Sequence, residues 1–400
     1  MSQPPTPGAT QVRMTAPAPY DPGYIPQGTR PSARRGIRQW LVWGLVVTGF
    51  SVAALVLAAY FGAALGVVTA LLGVLLAALP LGIVVPTFLW LDRFEAEPTK
   101  YLVTAFLWGA LVSALLAALF NTGAMFVIQA GTDPTQAMLT TATVVAPIVE
   151  ESLKGAFVWL VWRMRRREFD GVVDGMVYAG ITAAGLAFTE NIQYLGLAYQ
   201  DGGSQMLAAT FVARGLMSPF AHPMFTLLTG IGIGIAATAH SRVVRVVAPL
   251  FGLALAMCAH GLWNLSAVTG GQGLVVGYFV VGVPLFIGFL VLIVWARRRE
   301  GRLIGRRLSP YADAGWLSPS EITMLSSMAH RREARIWARA NAGRAGLASM
   351  RAFQDAASEL ALLRNRMYHQ AADQQALADE RGLLDAMTAA RRTFLGAASR

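Results

Sequence analysis

Eight apolar stretches of membrane-spanning length limit what this chain can fold into. They lie at roughly residues 40–62, 66–91, 101–121, 140–162, 171–193, 207–239, 246–266 and 275–295. An α-helix needs about 20 residues to cross the hydrocarbon core of a bilayer, and most of these stretches have that length. The stretch 207–239 is longer and contains Pro219 and Pro223, which predicts a short outer segment followed by a kinked span. The predicted fold class is therefore all-α, a polytopic transmembrane helical bundle of about eight spans.

Charge is distributed unevenly along the chain. Only 14% of the 400 residues are charged, whereas a typical soluble domain has about 25%. Residues 39–295 are nearly free of charge outside short gaps, and both ends are rich in arginine. This pattern predicts a disordered, Pro-rich, basic cytoplasmic tail over 1–38, a transmembrane domain over 39–299 and a soluble helical cytoplasmic tail over 300–400.

The loops between the stretches predict the orientation. Lys or Arg occurs in the loops 92–100, 163–170 and 241–245, and neither occurs in the loops 122–139, 194–206 and 267–274. This alternation predicts eight spans with both termini in the cytoplasm. It also accounts for the net charge of +11, and no motif that reads or stacks on bases accompanies that charge, so nucleic acid is not an expected partner. The Arg- and Ala-rich composition is typical of a high-GC bacterium, and together with the spans it predicts a location in a bacterial inner membrane.

The C-terminal tail carries helix signals of its own. Ser318 and Glu321 form a capping box with Pro319 at the first helical position, which predicts a helix to about Ala340. Asn341 and Gly343 are expected to end it. A second helix is predicted from apolar residues at helical spacing, namely Met350, Phe353, Ala357, Leu360 and Met367. The tail is therefore predicted to be a helical hairpin that packs on itself, on a partner or on the cytoplasmic membrane face.

Charged side chains inside the fourth predicted span mark a candidate site. A charge at mid-membrane costs about 2.5–3.5 kcal/mol on insertion scales. Glu150 and Lys154 are four residues apart and share a helix face, so an ion pair between them would make the helix tolerable. Glu151 points about 100° away from Glu150 around the helix. Two adjacent carboxylates in a low dielectric suit a general base or a metal ligand.

The next three spans carry the other candidates. Glu190 and Asn191 lie near the outer end of the fifth span, and His222 lies in the sixth. His260 and Asn264 lie one turn apart on one face of the seventh, where the amide could orient the imidazole or donate to an oxyanion. Because all the candidates lie on spans four to seven, those four helices are predicted to converge on one polar site.

Four further features have simpler interpretations. Asp170 is expected to cap the fifth helix, and Asp174 is expected to pair with Lys154 or a loop arginine. Arg214 could contact lipid headgroups or anchor a substrate. The run Gly230–Gly234, which alternates glycine with isoleucine, predicts close helix packing.

Together these motifs resemble the PrsW family of intramembrane proteases. The resemblance covers about residues 39–295, and the segment Trp90–Pro98 (WLDRFEAEP) is also similar to a signature of that family. It implies a catalytic site built from Glu150, Glu151, Lys154, Glu190, Asn191, His222, His260 and Asn264. It also implies cleavage of a membrane-anchored protein, in the family's known theme an anti-sigma factor. PrsW proteins are similar in turn to CAAX-type prenyl endopeptidases and bacteriocin-immunity proteins, which leaves the mechanism open.

Two schemes for amide hydrolysis fit these residues. In the first, His222, His260 and a carboxylate, assigned to Glu151, hold a zinc ion with one position open for water. Glu150 or Glu151 then takes the proton. The second scheme has no cofactor: a glutamate activates water together with His222, and His260 and Asn264 stabilise the oxyanion.

Two interpretations without proteolysis stay open. A transporter would use the same polar groups for an ion or solute, although it predicts internal pseudo-symmetry that the two halves of the chain lack. A non-catalytic membrane scaffold would use the C-terminal hairpin to recruit cytosolic partners. A transporter would show solute flux without peptide cleavage. A scaffold would lose its function when residues 305–400 are deleted, but not when Glu150 is replaced by alanine.

Overall fold

The structure is a computed structural model, and it describes residues 33–94, 96–166, 169, 171–369 and 374–398. The described residues are helical and contain no β-strand, which confirms the all-α fold class. The helices are α1 (Ala33–Leu65), α2 (Val67–Leu91), α3 (Thr99–Leu107), α4 (Ala114–Gln129), α5 (Pro134–Thr140), α6 (Ala146–Met164), α7 (Val172–Phe211), α8 (Ala221–Thr238), α9 (Arg242–Val268), α10 (Gly271–Gly277), α11 (Val283–Asp313), α12 (Pro319–Leu325), α13 (Met328–His369) and α14 (Gln374–Ala398).

Four short π-helical segments join neighbouring helices, so that several helix pairs continue without a loop. They are Trp108–Ser113, Thr141–Val145, Val212–Met217 and Tyr278–Gly282. A π-helical turn disturbs the regular ladder of α-helical hydrogen bonds, and such turns occur frequently at functional sites. Two of these segments contact the candidate site described below.

Six segments of the described chain are long and apolar enough to cross a membrane. One of them, Val172–Thr238, covers both the fifth and the sixth predicted spans. The helix α6 is not among the six, because Glu150, Glu151 and Lys154 interrupt its apolar sequence. The structure is thus a polytopic helical bundle, and the number of eight spans stays a prediction.

Several helix ends differ from the predicted ones. Helix α1 begins at Ala33, inside the predicted tail, whose residues 1–32 lie outside the described residues together with Glu95 and Asp170. The predicted loop 194–206 is largely helical, but α7 consists of two helices that meet at Gly202 and Gly203. The chain turns back there, because Arg214 after the break contacts Asn191 before it. Gly203 has a φ of 61° there, a conformation that favours glycine.

The two prolines of the sixth span mark the start of a helix. Pro219 lies in the short break before α8, and Pro223 lies in the first turn of that helix. Proline is well tolerated in a first helical turn because its missing N–H has no partner there. A short helical segment is therefore present over residues 204–217, and its outer position stays a prediction. The predicted kink is absent, because α8 begins only at Ala221 and Pro223 lies in its first turn.

Helix α8 packs tightly between α7 and α9. A Cβ atom added to Gly230 would lie 2.1 Å from the carbonyl oxygen of Gly175 on α7. On the other side, a Cβ atom at Gly232 would lie 2.3 Å from the carbonyl oxygen of Ala248 on α9. The glycine run thus allows close helix packing, as predicted. Because α8 carries His222, this packing also determines where that imidazole lies.

The described residues form two compact units that divide between Arg297 and Arg298. The domain boundaries at 38/39 and 299/300 stay predictions. In the C-terminal unit, the capping box of Ser318 and Glu321 is present, but α12 ends at Leu325. Ser327, whose hydroxyl accepts from the backbone N–H of His330, begins a new helix there.

The rest of the C-terminal unit is a pair of long helices. Helix α13 runs from Met328 to His369 and is broken at Gly343, which has a φ of 63°. It packs on α14, a helix that the sequence did not predict, around a core that includes Phe353 and Phe394. The predicted hairpin is present within α13, because Arg331 donates to Ser358 and Gln354 donates to the carbonyl oxygen of Arg331 across the break at Gly343. Helix α14 packs on this hairpin as a further helix.

Candidate functional site

Helix α6 presents three ionisable side chains to the interior of the bundle. The helix begins at Ala146 with Pro147 in its first turn. Glu150 is 5% exposed, and Glu151 and Lys154 are fully buried. Buried charges in an apolar bundle are stable only when other polar groups compensate them. The neighbours of these three residues therefore define the site.

Glu151 is surrounded by hydrogen-bond donors from three helices. Its Oε1 atom accepts from Lys154 Nζ at 2.5 Å and lies 3.0 Å from Nδ1 of His260. Its Oε2 atom accepts from the hydroxyl of Thr226 at 2.7 Å. The sequence allowed an ion pair between Glu150 and Lys154, but the structure pairs Lys154 with Glu151. The same ammonium group lies 3.5 Å from Nδ1 of His222.

Glu150 has a much sparser environment. Its Oε1 atom lies 3.4 Å from Nδ2 of Asn121 on α4. Its Oε2 atom lies 3.8 Å from Nε2 of His260 and accepts no hydrogen bond from the described residues. A buried carboxylate oxygen of this kind is available for a proton, a water molecule or a metal ion.

The two histidines lie side by side. Their ring centres are 5.0 Å apart, and the ring planes are nearly perpendicular. His260 stacks on Phe225, with 5.2 Å between ring centres. Nε2 of His222 lies 3.0 Å from Oε2 of Glu190, which brings α7 into the same site.

Arg214 contacts two members of this group on α7. It lies in the π-helical segment Val212–Met217 and donates to Oε2 of Glu190 at 3.0 Å. Its Nε atom donates to the side-chain oxygen of Asn191 at 2.7 Å. Its guanidinium group also stacks on Tyr194, 3.9 Å from the ring centre. Arg214 therefore fixes Glu190 and Asn191 relative to each other.

Two predicted residues have contacts outside the centre of the site. Asn264 donates to the backbone carbonyl of Ala142 at 2.9 Å, which joins α9 to the π-helical segment Thr141–Val145. Its predicted role toward an oxyanion stays a prediction. Asp174 accepts from the backbone N–H of Gly171 at 3.2 Å, a helix-start contact that agrees with a structural role.

Three side chains are close enough to hold one metal ion. Glu150, His222 and His260 each offer one ligand atom, and these atoms lie within 4.8 Å of one another. Two imidazoles and a carboxylate form a donor set that suits zinc. His260 also has a carboxylate at its Nδ1 atom, an arrangement common around metal-ligating histidines. These three residues fit a metal ion. The carboxylate ligand in this group is Glu150, whereas the sequence predicted Glu151 in that role.

The sequence missed two residues of the site. Thr226 lies one helical turn after His222, so its position on the same face of α8 was a usable signal. Asn121 lies on α4, in the third predicted span, and an amide in an apolar helix gave only a weak signal. The third predicted span thus adds a polar contact to the site, and the prediction that spans four to seven carry its chemistry stays a prediction.

Comparison with known proteins gives a consistent result. The model of the PrsW family, described as intramembrane metalloproteases, matches residues 97–293. Protease PrsW of Clostridioides difficile (strain 630) is 30% identical over 144 residues, which cover 35% of this chain and 55% of that protein. Protease PrsW of Geobacillus kaustophilus (strain HTA426) is 29% identical over 145 residues, covering 36% of this chain and 57% of that protein. The chain thus matches little more than half the length of these relatives, and no solved structure matches it.

Proposed function

The match over residues 97–293 confirms the resemblance of this chain to the PrsW family, and on that premise we propose that it is an intramembrane endopeptidase. It hydrolyses a peptide bond in a membrane-anchored protein. The observation that carries the proposal is the buried group of Glu150, His222 and His260 inside an apolar helical bundle. Placing such ionisable groups in a membrane costs free energy, so their presence favours a functional role over a structural one.

The first part of the proposal concerns a metal. Glu150, His222 and His260 would hold a zinc ion. A zinc ion bound there would supply Lewis acidity for the reacting carbonyl group and for the attacking water. Glu190, whose Oε2 atom contacts Arg214 and Nε2 of His222, would hold the His222 imidazole in place.

Glu151 has a different task from Glu150. Its charge is balanced by Lys154, and it accepts from Nδ1 of His260. This contact fixes the tautomer with the proton on Nδ1, because a carboxylate can only accept. The lone pair of Nε2 then faces Glu150. Glu151 therefore orients an imidazole, and its three donors make it a poor proton acceptor.

A hydrolytic scheme without a metal uses the same geometry. The free Oε2 atom of Glu150 would take the proton from water directly. His222, held by Glu190, would then act beside it. The two schemes differ in whether protein stripped of metal by chelation, and shown to be metal-free, retains activity. Retained activity would remove the zinc scheme and leave the glutamate scheme.

The biological setting belongs to the same proposal. The substrate class that the resemblance implies is an anti-sigma factor. The location is the inner membrane of a bacterium, with both termini in the cytoplasm and the bilayer as the immediate environment. The arginine-bearing loops support that orientation.

The test is cleavage of a tagged, membrane-anchored anti-sigma factor in cells. Glu150→Gln should abolish cleavage while the protein still accumulates in the membrane, because the substitution removes the open carboxylate. Glu333→Gln, a substitution of an exposed glutamate on α13, is the matched control and should cleave normally. Full cleavage by Glu150→Gln would reject the proposed site, and full cleavage in cells that lack this chain would reject the protease. Solute flux without cleavage would favour a transporter, and loss of function only on deletion of residues 305–400 would favour a scaffold.

A further inference from the structure

Thr226 makes an unusual contact for a threonine in an apolar helix. Its side chain is fully buried, and its hydroxyl donates to Oε2 of Glu151 on a different helix. We propose that Thr226 is a positioning residue of the hydrolytic site, which holds the Glu151 carboxylate in the plane that orients His260. This inference rests on the proposed function and adds a residue to it.

The ordinary behaviour of a buried threonine is different. Threonine in a helix commonly donates to a carbonyl oxygen one turn earlier in its own helix. Thr182 on α7 does so, donating to the carbonyl oxygen of Tyr178 at 2.7 Å. Thr226 instead bridges α8 and α6. The contact is therefore specific to the carboxylate and is not a local way of satisfying the hydroxyl.

The Glu151 carboxylate needs this contact to have one orientation. Lys154 and His260 both interact with Oε1, so they restrain the carboxylate from one side only. The two oxygens move together when the carboxylate turns about its axis, so a donor on Oε2 also restrains Oε1. Rotation about this terminal bond of glutamate is soft and roughly two-fold. Thr226 binds Oε2 and removes that freedom. Its β-branched side chain is itself restricted in a helix, which makes it a rigid support.

The orientation passes to His260. With Oε1 fixed, the imidazole keeps its Nδ1 atom on Glu151 and its Nε2 atom toward Glu150. Phe225, the neighbour of Thr226 on α8, stacks on the same imidazole. Partners that lie behind a ligating or catalytic histidine typically change metal affinity or activity by about 10–100-fold when they are removed.

The experiment compares three threonine variants of the full-length protein purified in detergent. Thr226→Val removes the hydroxyl and keeps the shape, whereas Thr226→Ser keeps the hydroxyl. Thr229→Val is the matched control, because Thr229 is buried on the same helix and its hydroxyl has no hydrogen-bond partner among the described residues. The readouts are kcat and KM for a tagged membrane-anchored substrate, and the affinity for Co²⁺ measured from its absorption spectrum.

We expect Thr226→Val to lower kcat and Co²⁺ affinity about tenfold each, with KM changed less than about twofold. Thr226→Ser should recover most of both losses, and Thr229→Val should match wild type. Equal impairment of the valine and serine variants would show a role in packing alone and would overturn the proposal, as would wild-type values for Thr226→Val. Wild-type protein and Glu150→Gln are measured alongside. Absence of cleavage by the wild-type protein would reject the protease itself, whereas wild-type cleavage by Glu150→Gln would reject the proposed role of Glu150.

Discussion

Glu150 and Glu151 are adjacent in the chain, yet their carboxylates have opposite surroundings. Glu151 receives donors from Lys154, His260 and Thr226. Glu150 keeps one oxygen without a hydrogen bond from the described residues. A carboxylate held by several donors is stable as an anion, whereas an open one can exchange protons or bind a cation. The division of tasks between the two glutamates follows from this difference.

The Glu151–Lys154 pair is expected to dominate the local stability. Removing one partner of a buried ion pair costs about 3–5 kcal/mol, because the other charge stays buried and unbalanced. Glu151→Gln and Lys154→Met should therefore each lower the free energy of unfolding by about that amount. The double variant should recover part of the loss, since each substitution removes the charge that the other one leaves unpaired.

Thermal unfolding of the detergent-purified variants measures this coupling. Glu333→Gln, at an exposed position, serves as the neutral control. If the double variant lost the sum of the two single losses, Glu151 and Lys154 would be energetically independent. The pair would then not be the reason that this helix tolerates its charges.

The sequence predicted most members of the site but not their pairing. Glu150, Glu151, Glu190, His222 and His260 were identified from the free-energy cost of polar groups in a membrane, and the structure brings all five together. The pairing of Lys154 depended on helix geometry, in which neighbours at three and four residues are both within reach. No periodicity distinguishes those two choices.

At the scale of elements, the contact between α7 and α8 determines the distance between Glu190 and His222. The two helices approach so closely at Gly175 and Gly230 that no side chain fits between them. Glu190 and His222 are then 3.0 Å apart across the same interface. Close backbone packing by small residues is a common way to associate helices in membranes.

Gly230→Ala tests this dependence. The added methyl group would lie 2.1 Å from the carbonyl oxygen of Gly175, so α7 and α8 must separate. Overpacking of this kind typically costs about 1–3 kcal/mol, and the Glu190–His222 contact should lengthen with a loss of cleavage. Gly82→Ala is the matched control on α2, where a Cβ atom would meet nothing within 4 Å. Thermal unfolding and substrate cleavage are measured for both variants. If Gly230→Ala unfolded and cleaved like Gly82→Ala, close packing at Gly230 would not determine the Glu190–His222 distance.

Some elements could not be predicted from hydrophobic periodicity. The segment 194–206 contains polar residues and glycines that indicate a loop, and the chain does turn at Gly202 and Gly203, but the residues on either side of this turn are helical. The π-helical segments could not be predicted from a 3.6-residue pattern either, because each of them inserts about one residue into a continuing helix. Asn264 donates to the carbonyl oxygen of Ala142, which lies in the π-helical segment Thr141–Val145. This hydrogen bond could not be predicted, because nothing in the sequence indicated the π-helical segment.

At the scale of the whole molecule, the alternation of charged loops remains the basis for orientation. The exposed loop position Ser241 precedes α9 and is followed by Arg242 and Arg245. The exposed Gly131 lies between α4 and α5, in a loop that lacks Lys and Arg. The positive-inside rule places Ser241 in the cytoplasm and Gly131 on the outer side.

A cysteine-labelling experiment tests this orientation because the chain has a single cysteine, Cys258. Cys258 is exposed on α9, so Cys258→Ser provides an unreactive background. In that background, a membrane-impermeant maleimide applied to intact spheroplasts should label Gly131→Cys and should not label Ser241→Cys. Disruption of the membrane should make Ser241→Cys reactive, which controls for its accessibility. Labelling of Ser241→Cys in intact spheroplasts would reverse the predicted orientation, since one wrong loop is inconsistent with every other loop in the alternation.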